Sequence, residues 1–501
     1  MKVQSFINGR YYEGGCDSFI KRNPATGEIV AEVIIADEET VKKAVISAKK
    51  AFVTWSKTTL DERKIIFKKA IELLLKNQGK SGDLVLSNFV KMMNAEMGKS
   101  IYELDIEIFE TADVLAYFVD KAGEILKDQE VVLNQDLWTT KRSKVIFEPI
   151  GVIGVIKPWN YPLELPIWSI GAALITGNTV VFKPSEITPT VGLMIAELFT
   201  EAGLPDGVLN VVQGKASTGK YLVNSDIDMV SFTGSTEVGK NIAKVCADKV
   251  KKLSLELGGK DAFIICKDAN IERAVNGALW GSFTISGQVC VSAERVFVQE
   301  EIYDDFMALL IEKVKKLRIG HGLKKDVDIT TLSSEKQLNK IIYLVNQAVE
   351  KGAFIEFGGR RLDDGDYSKG FFYEPTILSN VSTEMSCMKE ETFGPIMTVV
   401  RYSSINEVIE QTNSLQYGLS ASIWAENQAE AEKIAKCLQV GMVWVNDINI
   451  AFPECPWGGC KQSGYGKDLS QYGILEYTNI KHISFDNNKA RRQPWWYPYG
   501  E

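Results

Sequence analysis

The sequence predicts an α/β protein of two open domains, each a parallel sheet covered by helices. Three observations carry that expectation. Short β-branched runs alternate with amphipathic helical segments over most of the chain. At 501 residues the chain is too long for one ordinary core. The paired glycines of "ELGGKD" (256–261) fall between two separate rounds of the alternation and mark a boundary near residue 258.

The elements follow in order. After a short strand and turn, residues 39–55, 61–77 and 103–124 have helical apolar spacing and many Lys, Glu and Ala. "FEPIGVIGVIKPWN" (147–160) reads as a buried strand that ends in a turn. In "LPIWSIGAALITGNTVVF" (165–182), Gly171, Gly177, Asn178 and Thr179 break the apolar run and Lys183 follows it. A buried helix, a turn and a core strand are expected there, and no membrane span. "GVLNVVQG" and "IDMVSFTGS" are further strands, with helices at 190–203 and 215–224 between them. Strand and helix at this spacing imply parallel pairing. The second round runs from "KDAFIICKDAN" through "NIERAVNGALWGSF", "SAERVFVQE" and "EIYDDFMALLIEKVKKL" to "LSASIWAEN" and "QAEAEKIAKCLQ".

Composition narrows the function. The formal charge is -8, from 57 Lys plus Arg against 65 Asp plus Glu, which disfavours nucleic acid as a partner. "MKVQSFINGR" has no apolar core of a secretory signal. The eight cysteines form no CxxC pair and are expected to be reduced thiols, which points to the cytoplasm. With only His321 and His482, a histidine-rich metal cluster is impossible, and no metal site is expected. Both histidines read as surface or packing residues.

Several stretches suggest a site, each with an ordinary alternative. In "SGQVCVS" (286–292), Cys290 sits among small, flexible neighbours; it is either a buried thiol or a nucleophile whose base is a carboxylate or a water relay. In "PWNYP" (158–162), two prolines stiffen the chain around Asn160, which either points its amide at a developing oxyanion or forms a turn. "VVFKPSE" (180–186) brings Lys183 and Glu186 to the end of a strand, where open parallel sheets bind ligands; a solvated charge pair is the alternative. "SFTGSTEVGK" (231–240) resembles a phosphate-binding helix start but completes no glycine-rich fingerprint. Glu256 stands in an apolar strand before paired glycines, where burial would make it a stronger base.

Together, PWN, FKPSE, FTGS, ELGG, GQVC, EETFGP and PWGG, in this order over nearly the whole chain, resemble the NAD(P)-dependent aldehyde dehydrogenase superfamily. The resemblance implies an aldehyde dehydrogenase-like fold: two open α/β domains with parallel sheets plus a small β oligomerisation element. It divides the chain into 1–125 and 149–257 for NAD binding, 258–476 for catalysis, 126–148 and 477–490 for assembly, and an aromatic tail, 491–501. Cys290 would be the nucleophile, Glu256 the general base, and Asn160 with the Cys290 amide the oxyanion hole. Lys183 and Glu186 match the adenosine-ribose positions, and Glu186 favours NAD over NADP. Gly234 and Ser235 match the pyrophosphate region, Glu391 the nicotinamide ribose, and Phe393 the nicotinamide. Ile156, Trp159, Gln337 and Lys340 match further cofactor contacts. The presence of Glu256 favours hydrolysis over acyl transfer to coenzyme A.

Tyr161, Trp168 and Trp457 match tunnel positions and resemble the betaine aldehyde and aminoaldehyde branch, since aromatic faces attract a quaternary ammonium. Ala451 resembles the small residue of betaine-accepting forms. Thr284 stands where plant betaine enzymes carry a tryptophan. Long-chain or polyene-type apolar aldehydes are the alternative substrates, and a non-enzymatic relative is the rival from another class. The resemblance further implies a homodimer or homotetramer. The tail "RRQPWWYPYG" is expected to pack on the protein or a subunit, with a substrate entrance or peripheral membrane contact as alternatives.

Overall fold

A computed structural model describes residues 1–15, 17–76, 87–490, 492, 493 and 495–497. Cys16 and parts of the 491–501 tail lie outside the described residues.

The first large sheet grows from five runs buried on both faces: Val152–Ile156, Thr179–Lys183, Leu209–Val211, Met229–Thr233 and Lys252–Glu256. In space they lie as Lys252–Glu256, Met229–Thr233, Val152–Ile156, Thr179–Lys183 and Leu209–Val211, all parallel. The order reverses between Val152–Ile156 and Met229–Thr233. Helices on either side of such a reversal diverge and leave a crevice at the carboxyl ends of the strands. Antiparallel strands at both edges extend the sheet to eight.

The second sheet has seven strands, in the order Phe354–Phe357, Thr376–Ser379, Ile396–Tyr402, Arg295–Gln299, Ala262–Ile265, Ser420–Trp424 and Met442–Val445. All pair in parallel except Phe354–Phe357. A third, antiparallel sheet joins Thr478–Asp486, Lys141–Pro149 and Gln129–Val131. Among the described residues no helix is long and apolar enough to cross a membrane.

Two sequence expectations change in detail. Residues 147–160 form parts of two strands, not one. Lys141–Pro149 lies in the small sheet, and the chain then turns at Gly151 (φ +143°) into Val152–Ile156 of the first large sheet. A side chain at Gly151 would collide with the Asp228 carboxylate, 2.2 Å away. The second is "GFFYEPTILSN" (370–380), which the sequence reads as one strand of the later alternation, before the helix "SINEVIEQTNSL"; it divides into Phe372–Tyr373 and Thr376–Ser379, because the intervening Pro375 interrupts the pairing.

The start of the helix Ile101–Ile125 has a capping box, Ser100 with Glu103. The helix Glu164–Ile175 is buried on every side, as its apolar sequence requires, with Glu164 and Ser169 its polar side chains. The tail docks on its own chain: Trp495 meets Trp138 edge-to-face at 6.0 Å, and Lys141 lies over the Trp495 ring. His482 bonds Ser143, and His321 bonds the Asp366 carbonyl, so both serve packing.

Asn178 ties the small sheet to the first large one. Its side-chain oxygen accepts from the Ile150 and Gly151 amides at 2.6 and 2.9 Å, and its nitrogen donates to the Tyr477 carbonyl at 2.8 Å. Replacing it by alanine strands these groups in the interior. Asn178→Ala should therefore lower unfolding free energy by roughly 2–4 kcal/mol, measured by urea denaturation; an unchanged midpoint would show that the junction carries no such load.

Candidate active site

The cleft forms where the carboxyl ends of the first large sheet face the amino ends of the second. From the first come Pro158–Asn160, Glu186, Gly234, Ser235 and Glu256; from loops leading into the second come Gly258, Cys290, Glu391 and Phe393. The cleft holds about 510 Å³. A second, narrow cavity of about 30 Å³ lies beyond it, lined by Glu110, Tyr161, Glu164, Val289, Asn449 and Ala451 among others. Cys290, Leu165, Trp168 and Trp457 border both spaces. The thiol is thus approachable from two directions.

The Asn160 turn is held from beneath. Lys99 Nζ donates to the Asn160 carbonyl at 3.2 Å and lies 4.2 Å from the Tyr161 ring centre. Lys99 also pairs with Glu107 at 2.7 Å, both side chains being fully buried. The other Glu107 oxygen accepts from the Leu163 and Glu164 amides. Asn160 Oδ1 is buried without a partner.

The Cys290 loop has unusual backbone. Ile285, Ser286 and Gly287 all lie at positive φ, a costly run for the first two. Surrounding bonds fix it: Glu103 accepts from the Ile285 amide at 2.6 Å, Ser286 Oγ donates to the Thr330 carbonyl, and Gln288 bonds both the Ile285 carbonyl and the Ser333 amide. A side chain at Gly287 would meet the Gly394 carbonyl oxygen at 2.2 Å. Cys290 itself is half-buried, and burial, then Asp261, Glu391 and Glu256, push its thiol upward.

Glu256 ends its strand with both carboxylate oxygens buried and unpartnered. Burial, and next Asp468, hold its carboxyl well above the usual range, partly offset by Lys467 and Lys157. Gly458 is obligatory here: a Cβ would fall 2.3 Å from Glu256 Oε1. Gly458 of PWGG therefore makes room for this carboxylate, while Gly459 makes room for Ser463.

The larger cleft suits an extended, charged ligand. Lys183 and Glu186 are 3.4 Å apart at the strand end. The helix Thr236–Asp248 begins at Ser235 with no side-chain cap bond, leaving its first amides open to an anion. Cβ atoms would meet the Phe232 ring at Gly234 and the Glu391 carboxyl at Gly258, so both positions need glycine. Phe393 is held at φ +57°, edge-on to Trp159 at 5.4 Å, and Gln337 donates to the Thr392 and Phe393 carbonyls. Burial raises Glu391 to about 7. Lys340 borders the same space. Among the described residues no cluster of metal-ligating side chains occurs.

Of the sequence-selected residues, Ile156 and Lys183 line neither cavity: Ile156 is half-buried against the core beside the first sheet, and Lys183 is buried and bonds Glu186, which does line the cleft. Thr284 lines a separate groove with Glu103 and Trp280, so position 284 is not part of the tunnel wall here. Sequence reasoning missed Asp468, Lys336, Glu110, Glu164 and Asn449. Lys336 adjoins Gln337 and was within reach of the motif; the other four carry no local signature. Cys455, beside the PWGG motif, is exposed.

Comparison with known proteins agrees with this geometry. The model of the aldehyde dehydrogenase family matches residues 12–483. The chain is 39% identical over 478 residues to betaine aldehyde dehydrogenase of Bacillus subtilis, covering 95% of each. It is 40% identical over 495 residues to the cytosolic aldehyde dehydrogenase 1 of Rattus norvegicus, covering 97% of this chain and 95% of that one. Among solved structures, a point mutant of Staphylococcus aureus betaine aldehyde dehydrogenase in complex with NAD+ superimposes with a TM-score of 0.93 at 33% identity, over 99% of both chains. Two facing α/β sheets, a thiol at the join of two cavities and a match across almost the whole length lead to one conclusion: the chain belongs to the aldehyde dehydrogenase family.

Proposed function

We propose that this enzyme, an NAD-dependent aldehyde dehydrogenase, oxidises an aldehyde with a cationic head, betaine aldehyde or a related aminoaldehyde, to its carboxylic acid. The observation that carries this reading is the position of Cys290, which opens to the charged cleft on one side and to an aromatic passage on the other.

The Cys290 thiol first gives its proton to water; the thiolate then attacks the carbonyl carbon, the C=O π bond opens, and the oxygen takes up the negative charge. The Asn160 carboxamide and the Cys290 amide stabilise it; losing one such donor costs roughly 3–4 kcal/mol in the transition state. NAD supplies the hydride acceptor that converts the adduct to a thioester. Lys183, Ser235 and Glu391 hold the dinucleotide, and Glu186 disfavours a 2′-phosphate by charge repulsion. Glu256, once ionised, takes a proton from water, and the hydroxide releases the acid. Coenzyme A has no part in this hydrolytic course.

Aromatic walls support the cationic head. Trp168 and Trp457 meet at 5.3 Å, and Trp444 supports Trp457 from behind at 6.0 Å. An apolar chain fits such walls too, so the alternative substrate is a long-chain or polyene-type aldehyde. Residues 1–125 with 149–257, and 258–476, serve as the dinucleotide-binding and catalytic domains. The exposed strand Thr478–Asp486, with the hairpin 126–148, joins subunits into a dimer or tetramer in the cytoplasm.

Cys290→Ser should retain NAD binding, measured by fluorescence titration, yet oxidise aldehydes at under about a thousandth of the native rate; near-native turnover would remove Cys290 from the chemistry. Because Glu256 is held neutral by burial and is a base only when ionised, acid release should climb as pH rises into the alkaline range. Stopped-flow traces of Glu256→Gln should show a burst of NADH followed by hydrolysis slowed roughly 10²–10⁴-fold, without that climb; fast, pH-dependent release from this variant would exclude Glu256 as base. Trp457→Ala should raise KM for betaine aldehyde roughly three- to thirtyfold and for propanal far less. Equal changes would favour the apolar alternative.

A further inference from the structure

The narrow cavity beside Cys290 is not purely aromatic. Glu110 and Glu164 both line it, and Glu164 is only 3% exposed, with no ion-pair partner. Glu110, Glu107 and Asp113 repeat along one face of the helix Ile101–Ile125. Glu164 stands at the start of the helix Glu164–Ile175. Glu110 and Glu164 line the same narrow passage and act on each other electrostatically. Lys99 is the cation of this cluster, and it is already engaged by Glu107. One lysine therefore faces three buried or half-buried carboxyls. A second, independent feature points to a polar guest: Asn449 lines the same passage, and its carboxamide oxygen and nitrogen are both buried without a partner.

We propose that Glu164 and Glu110 form a receptor for the ammonium head of an aminoaldehyde, which the tunnel takes up in exchange for a proton. This rests on the cationic-substrate reading above and narrows it, because a protonated amine can donate hydrogen bonds to carboxylates and a trimethylammonium cannot. Charge balance supplies the reason. Without a guest, the carboxyls repel one another and keep a proton. With an ammonium between them, that proton is surplus and leaves to solvent. The electrostatics agree: burial raises Glu110 to about 7, and burial, then Glu110 and Glu107, hold Glu164 well above the ordinary carboxylate range. The groups that face the pair are Lys99 from the turn just before the long helix, Glu107 and Asp113 from the helix itself, Tyr161 from the Asn160 turn, and Cys290 from its loop; Glu454 acts on Asp113 from outside. Lys99 favours ionisation and the carboxyls oppose it.

The test compares an ω-aminoaldehyde with the straight-chain alkyl aldehyde of equal length, using the intact enzyme with NAD. In the native enzyme the kcat/KM ratio should favour the aminoaldehyde about tenfold or more, the scale of one charged hydrogen bond. In Glu164→Gln that ratio should fall about tenfold, mainly through KM. Glu110→Gln should shift it in the same direction, so misfolding of one variant leaves the other to decide. From about pH 6 to about pH 9, where Glu110, raised to about 7, ionises and an alkylamine stays charged, native KM for the aminoaldehyde should fall while that for the alkyl aldehyde does not follow. A ratio unmoved in both variants overturns the receptor and leaves the cationic reading to Tyr161, Trp168 and Trp457. A native ratio at or below one overturns the cationic reading, and the receptor with it.

Discussion

One buried ion pair organises the site. Lys99 and Glu107 lie fully inside the protein, 2.7 Å apart, between the helix Ile101–Ile125 and the Asn160 turn. Neither would be stable there alone, since an unpaired buried charge costs about 3–5 kcal/mol. Each therefore spends its remaining hydrogen-bonding capacity on backbone: Lys99 on the Asn160 carbonyl, Glu107 on the amides that open the helix Glu164–Ile175. The turn that presents Asn160 and Tyr161 is held on two sides by a single pair. Four residues before Glu107, Glu103 reaches the Ile285 amide. The same helix thus fixes both the oxyanion side and the nucleophile side of the cleft.

The two sheets contribute opposite ends to one cleft. Carboxyl ends of the first, at the reversal of strand order, present a helix start at Ser235 and the Glu186 carboxylate to the cleft. Amino ends of the second receive the loops that carry Cys290, Glu391 and Phe393. Those loops are strained, with positive φ at Ile285, Ser286 and Phe393, and strain of this kind persists only where neighbours over-determine the backbone. Close glycines complete the arrangement: Gly287 against Gly394, Gly258 against Glu391, and Gly458 against Glu256. Each removes a side chain at a point where two catalytic segments touch.

Much of this was legible in the sequence. The β-branched runs became strands, and the amphipathic segments became helices near their expected limits, as with Leu60–Leu75 against 61–77. Local patterns suffice there because burial repeats with the period of the element. All three proposed catalytic residues and nearly all the proposed cofactor and tunnel residues border one of the two cavities, because their motifs are short and contiguous. Ile156 and Lys183 are the exceptions: the strand-end side chain of Ile156 turns to the core, and Lys183 is buried and reaches the cleft only through its bond to Glu186. Glu110, Glu164, Asn449 and Asp468 escaped, since nothing in their immediate sequence separates them from surface carboxamides and carboxylates.

The sequence alone determined the elements and the alternation that demands parallel sheets, because each depends on neighbours within a few residues, and its short motifs singled out Cys290 as the proposed nucleophile through the family resemblance. It could not decide that the run before "PWN" divides between two sheets, which turns on the fit of Gly151 against Asp228. Nor could it place carboxyls from positions 110 and 164 along one passage or leave them with a single shared lysine. Those outcomes arise where distant segments are packed together, and the electrostatic character of the passage exists only after that packing has excluded water.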